Sequence, residues 1–106
     1  MKIQIKDKEL ELKYSFRAMM VFEEITKQSF NLNGMKDLIV YFYSTIIASD
    51  KDLDIDFDWF MDWLDSNPEL LNEFGDWVLN HGKKNEQFRT KTEESDSNSD
   101  VKKNSK

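Results

Sequence analysis

The chain has 106 residues with 15 basic and 21 acidic side chains, a net charge of −6 and no cysteine. That length suits one domain; the charge disfavours a phosphate-backbone partner, and the missing thiols exclude disulfides, thiolate zinc sites and cysteine nucleophiles. Nearly every apolar side chain precedes residue 85, and so does the whole charge imbalance. We therefore expect one globular domain over 1–84 and a disordered charged tail over 85–106.

Ile3, Ile5, Leu10, Leu12 and Tyr14 alternate with Lys, Gln and Glu on either side of Asp7-Lys8. A period of two predicts a β-hairpin with one apolar face. The turn around Lys6-Asp7-Lys8-Glu9 lacks Asn-Gly or Asp-Gly, which leaves its type open. Alone, such a hairpin is marginal in water and needs helices to cover it.

From Ser15 the period becomes helical. Phe16, Met19, Met20, Phe22 and Ile25 recur at the spacing of one helix face, Ser15 is the expected N-cap, and the helix should fade near Gln28. Asn31-Leu32-Asn33-Gly34 reads as a turn. A second helix is expected over Met35–Ala48 and is apolar almost all round, which places it at the centre of the fold and leaves surface over for a partner or a second copy.

Asp56 is the expected cap of a third helix carrying Trp59, Phe60, Trp63 and Leu64. Ser66-Asn67-Pro68 ends it and begins a fourth, with Leu70, Leu71, Phe74, Trp77, Val78 and His81 on one stripe and Gly82 as the expected stop. The architecture expected is α+β, mostly helical: a hairpin packed on about four helices. No apolar run reaches the roughly 20 residues of a membrane span, and the charged N-terminal residues lack the continuous apolar core of a secretory signal.

Chemistry-bearing patterns are weak. Asp50, Asp52, Asp54, Asp56 and Asp58 alternate as calcium ligands do, but Ile55 or Trp59 falls where the loop needs glycine. A solvated acidic loop leading into a helix N-terminus explains them better. His81, the one histidine, lies on an apolar stripe and suits packing, Glu23-Glu24 and Asp62 with Asp65 suit a solvated surface, and three glycines make no phosphate-cradling loop. These features point away from an enzyme and imply no cofactor or metal.

The distinctive content is aromatic: eight Phe, three Trp and three Tyr. Burial explains most of them. Tyr41, Tyr43, Phe57, Trp59, Met61 and Trp63 are the candidates for a partner surface, a groove for an apolar helical or extended segment.

The order of parts resembles a known family. Lys2-Ile3-Gln4-Ile5, Glu9 to Tyr14, Phe16 to Thr26 and Phe60 to Leu71 are similar, over residues 1 to 82, to the tail assembly chaperones of long-tailed bacteriophages and prophages. The resemblance implies a cofactor-free holdase in the bacterial host cytoplasm that keeps the apolar tape measure protein soluble until the tail tube forms, and that is absent from the finished particle. In many members a ribosomal frameshift appends a second domain, and Lys83-Lys84-Asn85 or Lys102-Lys103-Asn104 could be encoded by a slippery heptamer. The alternatives are a head-tail connector or tail completion protein, retained in the particle, and a host regulatory or antitoxin-like module.

Overall fold

The structure, a computed structural model, describes residues 1–96, with side chains described through residue 82. Two antiparallel strands, β1 (Lys2–Ile5) and β2 (Lys8–Glu11), pair in the register Ile3↔Leu10 and Ile5↔Lys8. Lys6 and Asp7 form the turn, both at positive φ (51° and 60°). Positive φ at both central residues is what a type I′ turn requires, the class whose twist matches the strands it joins. The alternation is realised as expected: Ile3, Ile5, Leu10 and Leu12 are buried, while Lys2, Gln4, Glu9 and Glu11 face water.

Four helices follow: α1 (Phe16–Thr26), α2 (Met35–Ser49), α3 (Phe57–Ser66) and α4 (Glu69–Asp96). Ser15 caps α1 by accepting from the Ala18 N–H at 3.1 Å. Lys27, left-handed at φ 60°, closes α1 by donating its N–H to the Glu23 carbonyl. Gly34, at φ 90°, turns the chain into α2.

α2 is the central helix. Val40, Tyr41, Phe42, Ser44, Thr45 and Ile46 are all buried. The two hydroxyls of Ser44 and Thr45 are satisfied inside the helix, Ser44 Oγ donating to the Val40 carbonyl and Thr45 Oγ1 to the Tyr41 carbonyl, each at 2.8 Å. Around α2 stands an aromatic core. Phe42 stacks on Phe74 of α4 with centroids 4.3 Å apart and meets Phe60 of α3 edge-on at 5.5 Å. Gly75 of α4 faces Leu38 of α2, where an added Cβ would meet Leu38 Cδ2 at an ordinary contact distance of 3.4 Å.

The acidic run works locally. Asp50 forms an ion pair with Lys8, tying the loop after α2 to the hairpin; that contact holds the Asp50 carboxyl below its ordinary value and the Lys8 ammonium above its own. Asp56 caps α3, accepting from the Trp59 N–H at 2.7 Å. His81 packs as its stripe implied, stacked on Tyr14 at 5.0 Å and edge-on to Trp77 at 4.8 Å.

Gly82 does not stop the last helix, whose backbone continues to Asp96. A glycine inside a helix costs only about 1 kcal/mol relative to alanine, which flanking helix formers offset. Of the tail expected over 85–106, residues 85–96 have helical backbone and residues 97–106 lie outside the described residues. Among the described residues no helix is long and apolar enough to cross a membrane.

Candidate functional site

α3 turns Phe60 and Leu64 into the core and leaves large apolar side chains on either flank of that line. Phe57 is exposed, and Trp59, Met61 and Trp63 are half-buried. Trp59 and Trp63, one helical turn apart, stack nearly parallel with centroids 6.5 Å apart. Trp63 also meets the edge of Phe42, which fixes one end of the pair to the core. At the other end Lys6 lies over the Trp59 ring at 5.1 Å while donating to the Asp54 carbonyl at 3.1 Å. The hairpin turn therefore holds this face in place through one cation.

Tyr43, from α2, packs on the opposite flank of that line, beside Phe57. Its ring meets Phe57 at 5.3 Å and Phe60 at 5.4 Å, and its hydroxyl donates to the Ile55 carbonyl at 2.8 Å. Burial, with the nearby carboxylates of Asp56 and Asp54, raises the Tyr43 phenol above its ordinary value and keeps it neutral. Asp54 and Asp56, near Tyr43, and Asp58 and Asp62 on α3 are all exposed. Apolar rings with carboxylates nearby suit an apolar segment flanked by basic residues.

Tyr41 does not belong to this surface. It is fully buried, packed against Phe22, Phe30 and Phe74. Two residues along a helix are about 200° apart, so Tyr41 and Tyr43 cannot share a face. The Thr45 hydroxyl donates to the Tyr41 carbonyl, and among the described residues Tyr41 Oη has no hydrogen-bond partner. Burial pushes the Tyr41 phenol strongly up. The other five candidates lie where a partner can reach at least part of each.

A second apolar surface lies on α1, away from these residues. Phe16 and Met20, expected on the core face of that helix, are 81% and 65% exposed. With Arg17, Val21, Glu24 and Lys27 they form an open strip along the outside of the helix, five of them lining one depression. The sequence signal for it is the pair Ala18 and Phe22, which are both buried and set the inner line. Phe16 and Met20 repeat that pair two residues earlier and so face the opposite way. Comparison with protein-family models, with curated protein sequences and with solved structures finds no match to this chain.

Proposed function

We propose that this protein works by binding another protein, and that it is a tail assembly chaperone of the long-tailed phage type, shielding an apolar helical segment of the tape measure protein. The observation that carries the reading is the stacked Trp59–Trp63 pair, half-exposed and held by Phe42 on one side and Lys6 on the other. Rings fixed before binding lose little conformational entropy when a client covers them, so they suit the role of anchor residues. Phe57, Met61 and Tyr43 add apolar area on the other flank of α3, and the exposed aspartates add charge that keeps a loaded complex in solution. The family resemblance narrows the client to the tape measure protein and the place of action to the host cytoplasm. On this reading the protein carries no cofactor and catalyses no reaction.

The test is co-expression with the tape measure protein of the same gene cluster, reading the soluble yield of the client and its recovery with a tagged chain. Trp59→Glu with Trp63→Glu should abolish both. Phe57→Glu, at an exposed position remote from the Phe42 contact, should reduce them without altering the circular dichroism of the chaperone. Soluble yield unchanged by all three substitutions would sink the reading.

A further inference from the structure

Helix α1 buries its inner line against the core and leaves Phe16 and Met20 exposed on the other side. Beside these two lie opposite charges at opposite ends. Arg17 sits near the N-terminal end and Glu24 seven residues later, two helical turns on and on nearly the same azimuth. Among the described residues neither forms an ion pair. Glu23 is already engaged, accepting from the Phe30 N–H at 2.7 Å.

We propose that two copies of the chain pair through this face, α1 against α1 and antiparallel, about a two-fold axis passing between Met20 and Val21. Turning the helix about that axis sets Arg17 of each copy opposite Glu24 of the other, twice over, and brings the two Met20 side chains together beside the two Val21 side chains between them. A patch with an apolar middle and opposite charges at its two ends is complementary to itself when reversed, which is the condition for an isologous contact. A parallel pairing would set Arg17 on Arg17 and Glu24 on Glu24, so the charges also select the orientation. Lys27 falls beyond the overlap, which runs from Phe16 to Ile25 and spans roughly 15 Å. A contact that short belongs to the weak, concentration-dependent class. The inference stands apart from the client-binding reading and uses none of the α3 residues.

Sedimentation velocity across micromolar to millimolar protein should show the 12.7 kDa chain moving to twice that mass. Arg17→Glu or Glu24→Arg alone should weaken association at least tenfold, while the double reversal restores it. An equal mixture of the two single variants should associate as a heterodimer, because every charged pair across the axis then joins an acid to a base. The chain has no cysteine, so Met20→Cys should give a covalent dimer on mild oxidation. Leu79→Cys, 57% exposed on α4, should cross-link far more slowly. A chain monomeric at every concentration, a dimer indifferent to both reversals, or equal cross-linking at the two cysteines would overturn the proposal. Loss of client binding in the α3 variants has no bearing on any of these readouts.

Discussion

Helices α1 and α3 differ in length by one residue, and each begins on a side chain that accepts from the N–H three positions on, Ser15 for α1 and Asp56 for α3. Their large apolar residues nevertheless meet different ends. In α3 these residues fall in one broad sector, so Phe60 and Leu64 bury fully and Trp59, Met61 and Trp63 pack partway at its edges. In α1 Phe16 and Met20 lie roughly 140° or more around the helix from the buried Ala18–Phe22 line, beyond the reach of the core. Apolar content alone does not decide burial. Angular placement does, and α1 shows how a helix as greasy as its neighbour ends with an aromatic ring in water.

The sharpest way to break this comparison is to shorten one ring on each helix. Phe60→Ala should cost about 3–5 kcal/mol in chemical denaturation, because it removes a fully buried ring that meets Phe42, Tyr43 and Trp63. Phe16→Ala should change stability by no more than about 0.5 kcal/mol. Equal losses would mean that Phe16 is covered in the folded monomer.

A smaller effect tests what the helices share. Ser15→Ala and Asp56→Ala should each cost about 1 kcal/mol in the same denaturation measurement. The Asp56 change should be the larger, since its carboxylate also complements the α3 dipole, and added salt should narrow the difference.

The smallest effect concerns the one buried hydroxyl without a partner among the described residues. Tyr41→Phe removes an unsatisfied polar atom and leaves the ring, so its stability should equal the parent's or exceed it by up to about 1 kcal/mol. The same variant has a pH signature. The folded-state values of Tyr41 and Tyr43 lie above the ordinary 10.0, so the folded protein holds these protons more tightly than the unfolded chain. The stability this contributes is fully present below pH 10.0 and is lost as pH rises toward the folded-state values. The thermal unfolding temperature should therefore fall off above that pH, and less steeply in Tyr41→Phe. A slope unchanged by the substitution would place the Tyr41 hydroxyl in water.

The element order was legible because each element carries its own punctuation. Period-two alternation marked the hairpin, Ser15 and Asp56 marked two helix starts, and Pro68 marked the third. The I′ turn was not legible, since Lys6 and Asp7 reach positive φ without the glycine that usually announces it. Gly82 misled because a helix can absorb one glycine at small cost. Of the six candidate surface residues, Tyr41 was misplaced for a definite reason: on a helix apolar all round, periodicity gives no direction, and only the neighbours decide which ring faces inward. The same limit hid the outer strip of α1.

The apolar character of α2 also has a consequence for biosynthesis. The hairpin and α1 leave the ribosome first and can shelter one flank of α2 as it emerges, but its covers on the other flank, Phe60 and Phe74, are made later. Until translation passes Phe74 the nascent chain displays the side of Phe42 that ends up stacked. Self-association is most dangerous in that interval, and slow decoding between α2 and α4 would lengthen it.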